Sequence, residues 1–176
     1  ALLELLKNPT AQQPLRDEFN KVAQGRDLTG KDYNRLPQSQ AAFKEALRMH
    51  PTVFMSTREV KNTVEVGGIQ MEPHDIIRMD LRKLHSDPAN FENPGEFKPS
   101  RFEKNKFPQA FMPFGTGPRV CLGINMAMYE GAIMLSQIFN RVDLKPDALP
   151  TGDEYYFTTR PKGPLSVTVS KRLPPA

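Results

Sequence analysis

The pattern of apolar and polar positions divides the chain into a helical first part and a strand-rich middle. Apolar residues recur at helical spacing in the segments 14–24 and 38–50, which predicts two amphipathic helices. From position 57 to 80 the pattern changes to short alternating runs, and two of these runs are separated by the turn-forming pair Gly67-Gly68. We therefore predict an α+β fold in which helices predominate.

The second half of the chain contains a loop-rich stretch, a long apolar segment and a final strand. Residues 87–118 are rich in proline and glycine, which predicts an ordered meander. The segment 122–139 is apolar on nearly every helical face and predicts a helix that is buried all round. Alternation in 165–169, directly after the turn-forming segment 161–164, predicts a hairpin at the C-terminal end.

Composition and charge exclude several classes of protein. The net charge of +4 is modest and dispersed, so we predict no nucleic-acid partner. The single cysteine excludes an internal disulfide framework, and neither a membrane-spanning stretch nor a secretory signal is visible. Hydrophobic residues make up 38% of the chain, which is low for a self-sufficient domain and suggests that another segment covers some apolar surface.

The only cysteine, Cys121, lies in the sequence FGTGPRVCLG, framed by Phe114, Gly117, Arg119 and Gly123. A lone cysteine is ordinarily a small buried apolar residue. Here Gly117 and Gly123 are expected to provide backbone freedom, and the helix that begins after Cys121 offers unpaired N–H groups that favour a thiolate. Since a thiolate is a soft ligand for iron, Cys121 is the candidate metal-binding residue.

The spacing F-x-x-G-x-R-x-C-x-G resembles the haem-ligand loop of the cytochrome P-450 family, the haem-thiolate monooxygenases. Glu45 and Arg48 in FKEALRMHP resemble the family's E-x-x-R on its helix K. The stretch HSDPANFENPGEFKPSRF is similar to the family segment that ends in P-E-R-F, with Ser100 replacing the glutamate and Arg101 retained. The resemblance extends from about residue 2 to about residue 171 and implies the C-terminal portion of the cytochrome P-450 fold, with small β-sheets and a Pro/Gly-rich meander.

Members of this family are usually well over twice as long as this chain. The resemblance therefore implies that residues 1–176 are the C-terminal part of one cytochrome P-450 domain. The N-terminal half and most of the central helix, with the acid and threonine used in oxygen activation, would lie outside the chain, and the segment 1–6 fits the end of that helix. No catalytic residue is expected within 1–176, and the chain alone is expected to be inactive without the missing N-terminal segment.

The resemblance also assigns roles to individual residues around haem b. Cys121 would be the axial ligand of the haem iron, with Phe114 shielding the sulfur. Arg119 and Arg58 match family positions that pair with the haem propionates, although Arg58 could instead be a surface charge at a strand edge. The cofactor-binding set is Cys121, Phe114, Gly117, Arg119, Gly123 and Arg58.

Glu45, Arg48 and Arg101 are expected to be structural. A buried carboxylate between two guanidinium groups would fix the meander under the haem, whereas a solvated surface pair is the alternative for Glu45 and Arg48. The histidines His50, His74 and His85 lack ligand spacing, so no second metal site is predicted. His50 is expected to interact with the C-terminal dipole of its helix.

Substrate contacts are assigned by resemblance alone. The loop 52–56 matches the family loop that passes over the haem, and 156–159 resembles the last substrate-facing turn. Both are mainly apolar with a few hydroxyl groups, which favours a lipophilic substrate, although apolar residues near a hairpin are usually core. The candidate contacts are Val53, Phe54, Met55, Phe157 and Thr158.

The resemblance implies a monooxygenase that inserts one oxygen atom of O2 into a lipophilic organic substrate. Electrons would come from an NADPH reductase or a ferredoxin, and Lys98, Lys104 and Lys106 lie where family members receive acidic redox partners, unless they are a solvated charge run. The alternatives are a non-catalytic haem-binding fragment or pseudoenzyme, a haem-thiolate peroxygenase, and an isomerase, which the uninterrupted cysteine loop disfavours. The short interval 102–111 favours a cytoplasmic protein, while an N-terminal anchor outside the chain would place it at the cytosolic face of a membrane.

Overall fold

The computed structural model describes residues 1–103 and 109–172. The helices are α1 (Leu2–Lys7), α2 (Gln13–Ala23), α3 (Pro37–Met49), α4 (Leu81–Ser86) and α5 (Ile124–Arg141). The strands are β1 (Met55–Glu59), β2 (Val64–Val66), β3 (Ile69–Met71), β4 (Ile76–Asp80), β5 (Val142–Ala148), β6 (Gly152–Tyr155), β7 (Thr159–Lys162) and β8 (Ser166–Lys171). Short 3-10 turns occupy Pro9–Gln12, Gly30–Arg35, Pro99–Phe102 and Gly117–Arg119. The predicted α+β class with small sheets is confirmed.

The strands form four two-stranded antiparallel sheets, which pair β1 with β4, β2 with β3, β5 with β8, and β6 with β7. The predicted hairpin at Gly67-Gly68 is confirmed, since Val66 pairs with Ile69 across that turn. The predicted C-terminal hairpin is wrong in its partner, because β8 pairs with β5 and not with the strand just before it. The preceding strand β7 is already paired with β6, and β5 offers a longer partner in which Leu144 lies opposite Val169.

Helix α3 lies at the centre of the fold and contacts α2, α4, α5 and the turn Pro99–Phe102. Its small residues Ala41, Ala42 and Ala46 are buried, so neighbouring elements can approach closely. The main apolar cluster joins α1, α2, α3 and α5 to the meander and consists of Leu5, Leu15, Ala42, Ala46, Phe97, Leu135 and Phe139. At the contact of α3 with α5, the ring of Phe43 occupies the space that a side chain at Gly131 would need.

Helix α5 is buried on one face only. Its buried residues, Met128, Ala132, Leu135, Ser136 and Phe139, follow the helical repeat and face α2 and α3. Met126 is 65% exposed and Met134 59% exposed on the other side. The prediction of burial all round is therefore wrong for the described residues, because they leave Met126 and Met134 largely exposed. Among the described residues 1–103 and 109–172, no helix is long and apolar enough to span a membrane.

Candidate cofactor site

The loop that carries Cys121 is closed by backbone hydrogen bonds. The N–H of Cys121 donates to the carbonyl of Phe114 at 3.0 Å, and the N–H of Val120 donates to the carbonyl of Gly117 at 3.0 Å. At the entry to the loop, the N–H of Gly115 donates to the carbonyl of Met112, also at 3.0 Å. These bonds fold the segment back so that Phe114 and Cys121 lie beside each other.

The structure changes the expected role of the loop glycines. Gly117 has φ +70° and Gly115 has φ +72°, a left-handed region that favours glycine, so the backbone freedom is needed at these two positions. Gly123 has φ −83°, which any residue adopts, and is the N-cap of α5. A Cβ atom at Gly123 would lie 3.9 Å from the Cys121 sulfur, an ordinary contact. Backbone freedom at Gly123 is therefore not what the loop requires.

Cys121 lies three residues before the first residue of α5, and its carbonyl accepts a hydrogen bond from the N–H of Ile124 at 3.3 Å. Cys121 is exposed among the described residues, and the shielding of its sulfur by Phe114 stays a prediction. The start of α5 is nevertheless close to the sulfur, as expected for a site where an anionic ligand is favoured.

A cavity of about 390 Å³ opens beside Cys121 and is lined mainly by apolar side chains. Arg58 and Arg119 lie on its wall together with the cysteine. The Arg58 guanidinium donates to the Ser56 hydroxyl at 3.0 Å and to the Thr57 carbonyl at 2.8 Å, both on its own strand β1. The apolar lining residues are Leu47, Val53, Leu81, Pro113 and Phe114. Apolar walls, two cations and one thiol form a donor set that fits an iron porphyrin with two carboxylates.

The expected substrate segments meet at the rim of this region. Thr159 joins them, since its N–H donates to the Thr52 carbonyl at 2.8 Å and its hydroxyl donates to the Pro51 carbonyl at 2.7 Å. Among the five predicted contacts, Val53 lines the cavity, whereas the Phe54 ring packs edge-on against Tyr155 at 5.3 Å.

The other three predicted contacts lie elsewhere. Met55 is exposed on β1, while Phe157 and Thr158 lie in the turn between β6 and β7, with Phe157 94% exposed. The described residues thus bring only Val53 into contact with the cavity.

Glu45, Arg48 and Arg101 form one cluster, in which Glu45 and Arg48 are buried and Arg101 is partly buried. Arg48 holds the Glu45 carboxylate with two bonds, from Nε to Oε2 at 2.8 Å and from Nη2 to Oε1 at 2.9 Å. Arg101 Nε donates to the same Oε1 at 2.9 Å, and the backbone N–H of Lys98 donates to it at 3.0 Å. Glu45 and Arg48 are almost completely buried, so the carboxylate depends on these donors in place of water.

The cluster also holds the meander through backbone carbonyls. Arg48 donates to the carbonyls of His85 at 2.9 Å and Glu96 at 3.3 Å, and Arg101 donates to the carbonyl of Glu92 at 3.1 Å. The guanidinium of Arg48 additionally lies 5.4 Å from the ring centre of Phe91. The three residues therefore connect α3 to both ends of the segment 85–101.

His85 is a buried residue that sequence reasoning placed no weight on. Its Nε2 accepts a hydrogen bond from the backbone N–H of Met112 at 3.2 Å, and its Nδ1 lies 3.2 Å from the carbonyl of Arg48. Burial lowers the pKa of His85 to about 4, so the ring is neutral at pH 7. Because Nε2 accepts, Nδ1 carries the proton and donates to Arg48. Only the position of His85 just before the meander could have signalled this role.

His50 does more than end its helix. It is the C-cap of α3, and its ring also bridges two carboxylates, with Nδ1 2.7 Å from Asp153 Oδ2 and Nε2 3.1 Å from Glu4 Oε1. The hydrogen bond to Glu4 raises the pKa of His50 despite partial burial. His74, in contrast, is exposed and contacts Glu59 at 2.9 Å. Within 1–103 and 109–172, no cluster of His, Cys, Asp and Glu has the geometry of a metal site.

Of the lysines considered for partner docking, Lys98 is exposed on the meander, and its backbone N–H is used by Glu45. Lys104 and Lys106 lie outside the described residues. The structure therefore places one of the three candidate docking cations.

Comparisons with known proteins identify the family of this chain. The sequence pattern of the cytochrome P-450 family matches residues 1–167. The chain is 30% identical over 187 residues to cytochrome P-450 98A2 of Glycine max, and it is 33% identical over 144 residues to cyclooctatin synthase of Streptomyces melanosporofaciens. The alignments cover 99% and 80% of this chain but only 37% and 31% of the two relatives, so the chain spans about a third of their length.

The fold is also similar to a solved structure, the crystal structure of cytochrome P-450DA haem domain. The TM-score is 0.89 at 25% sequence identity, covering 98% of this chain and 40% of that chain. The chain belongs to the cytochrome P-450 family, whose members in general carry out haem-thiolate monooxygenase chemistry. The resemblance noted from the cysteine loop, the E-x-x-R pair and the meander is thereby confirmed.

Proposed function

We propose that the protein containing this chain is a monooxygenase that binds haem b and inserts one oxygen atom of O2 into a lipophilic substrate. The observation that carries this proposal is that Cys121, Arg58 and Arg119 open onto one apolar cavity. A thiol would supply the iron ligand and two guanidinium groups can pair with two carboxylates, so the thiol and both cations of the wall have a use in holding haem.

The cofactor, when bound, supplies the redox chemistry that no amino-acid side chain provides. The residues of this chain would hold and orient it. Cys121 would provide the thiolate beside the start of α5, while Arg58 and Arg119 would neutralise the propionates. Phe114, whose carbonyl binds the Cys121 N–H, would form the wall behind the ring.

The substrate class and the electron donor are finer parts of the same proposal. The apolar wall that includes Val53 and Leu81 supports a lipophilic substrate, because few polar groups would be left unpaired by such a molecule. An NADPH reductase or a ferredoxin would supply electrons. Exposed Lys98 is a described cation that could contact an acidic partner.

The test is the reduced carbon monoxide spectrum of the haem-loaded protein with Cys121→Ser. A serine hydroxyl cannot replace a thiolate, so the Soret band of the thiolate-ligated form should be lost. Thr116→Ser, a conservative change in the same loop, serves as the matched control and should keep that band. An unchanged Soret position in Cys121→Ser would contradict the assignment.

A second candidate, a non-catalytic haem-binding protein, shares the same cysteine and arginines. Substrate-dependent consumption of NADPH with formation of a hydroxylated product distinguishes the two. Thiolate-ligated haem without any such turnover would favour the non-catalytic function.

A further inference from the structure

His85 links two parts of the molecule that are far apart in sequence. It lies at the end of α4, where its ring is buried between the rings of Phe91 and Phe111, at centre distances of 6.1 and 5.8 Å. Both ring nitrogens are used, one toward the carbonyl of Arg48 on α3 and the other toward the N–H of Met112. The Arg48 side chain also donates a hydrogen bond to the His85 carbonyl. A buried ring with both nitrogens engaged holds its two partners at a fixed separation.

Met112 stands at the entry to the cysteine loop. Its N–H is held by His85, and its carbonyl accepts from the N–H of Gly115. The next residues lead to Phe114, whose carbonyl accepts from the N–H of Cys121. A short path of hydrogen bonds therefore runs from the His85 ring to the backbone of Cys121.

We propose that His85 is a positioning residue, which uses its Nδ1–H tautomer to fasten the loop carrying Cys121 to the buried Glu45 and Arg48 pair. The inference rests on the proposed function only in that Cys121 is taken as the haem ligand. The loop that carries Cys121 is closed by backbone hydrogen bonds, and Met112 at its entry is held by the buried His85 ring. This contact ties the loop to the interior of the fold.

The surroundings of His85 keep the ring in the neutral form that this role needs. Burial and the positive charge of the Arg48 guanidinium lower the pKa of the ring, while hydrogen bonds to the carbonyls of Arg48 and Ala110 raise it. The Glu45 carboxylate is occupied by Arg48, Arg101 and the N–H of Lys98. If the ring gained a proton at Nε2, it could no longer accept from Met112.

Two substitutions separate the two hydrogen bonds of His85. In His85→Gln the side-chain oxygen can reach the position of Nε2 and accept from Met112, whereas in His85→Asn the shorter amide can replace only Nδ1. We expect the thiolate-ligated fraction of the haem-loaded protein, read from the reduced carbon monoxide Soret band, to stay near wild type in His85→Gln. In His85→Asn the ratio of thiolate-ligated to other forms should fall about tenfold, as for one lost buried hydrogen bond. His74→Asn, at an exposed histidine, is the control and should change nothing.

Equal effects of the Gln and Asn substitutions, or no effect of either, would overturn the proposal. A second measurement needs no variant of His85. The 15N chemical shifts of the His85 ring should show the proton on Nδ1, and the Met112 amide should be protected from hydrogen exchange. A proton on Nε2 would overturn the proposal independently of haem. If the wild-type protein lacked the thiolate band but showed the Nδ1–H tautomer and a protected amide, the proposed function would fail while the fastening of the loop would stand.

Discussion

The pair of Glu45 and Arg48 and the loop that carries Cys121 differ in burial and in how their polar groups are paired. Glu45 and Arg48 are 0% and 1% exposed, and each charged atom has partners within hydrogen-bonding distance. Cys121 is exposed, and the neighbouring Leu122 is 100% exposed. The difference shows that the described residues bury and pair Glu45 and Arg48 but leave Cys121 exposed.

The comparison has an energetic side. A buried ion pair is costly to break because the remaining charge stays without water or a partner. An exposed thiol in a loop closed by backbone hydrogen bonds contributes little to stability through its side chain. Cys121, the proposed haem ligand, should therefore be among the least important residues for folding. Glu45 and Arg48 should be among the most important.

The largest expected effect comes from Arg48→Leu. The substitution removes both bonds to the Glu45 carboxylate and leaves the carbonyls of His85 and Glu96 without their donor. We expect the free energy of unfolding, measured by chemical denaturation, to fall by about 3–5 kcal/mol. The control is Arg35→Leu, which removes an exposed guanidinium from its pair with Asp32 and should cost no more than about 1 kcal/mol. Similar losses in both variants would remove the contrast between buried and exposed charge.

An intermediate effect, with a pH dependence, is expected for His50→Gln. The folded-state pKa of His50 is raised above 6.5, first by its hydrogen bond to Glu4, so its stabilisation is present below about pH 6.5 and is lost as pH rises through the raised value. The pKa of Glu4 is lowered by the same bond, so its part is lost only at acid pH. The difference in unfolding free energy between wild type and His50→Gln should be about 1 kcal/mol at pH 6 and shrink by pH 9. A difference that grows with pH would show that the ring is not held as a cation.

The smallest expected effect is that of Cys121→Ser on the stability of the haem-free protein. Because the thiol is exposed and the loop is closed by backbone groups, the free energy of unfolding should change by no more than about 0.5 kcal/mol. Denaturant titration of the haem-free protein, beside the Arg48→Leu variant, measures this directly. A loss comparable to that of Arg48→Leu would mean that the sulfur is part of the supporting structure.

The sequence predicted those features that depend on neighbouring residues. The helical repeat in 14–24 and 38–50 corresponds to α2 and α3 within a residue or so, because amphipathic periodicity is local. The spacing of residues around Cys121 indicated the turns of the cysteine loop, since the geometry of a turn is also local.

Several features that depend on distant partners were missed, although the resemblance did anticipate the contact of Glu45 with Arg101. The pairing of β8 with β5 and the hydrogen bond between His85 and Met112 join segments that are far apart in the chain. The exposure of one face of α5 likewise depends on which distant segments pack on that helix. Gly115 was overlooked for another reason, because the need for positive φ at that position arises from the return of the loop and not from the residue pattern.

The contact between Phe43 and Gly131 restricts which residues can replace either one. The aromatic ring fills the place of a side chain on α5, so the two positions share one fixed volume. An alanine at 131 would require the ring to move or to be replaced by a smaller group, and a smaller residue at 43 would leave a gap that only a larger one at 131 could fill. The spacing of α3 and α5 thus depends on both residues together, and a change at one position moves the Phe43 ring, leaves a gap, or shifts the two helices relative to each other.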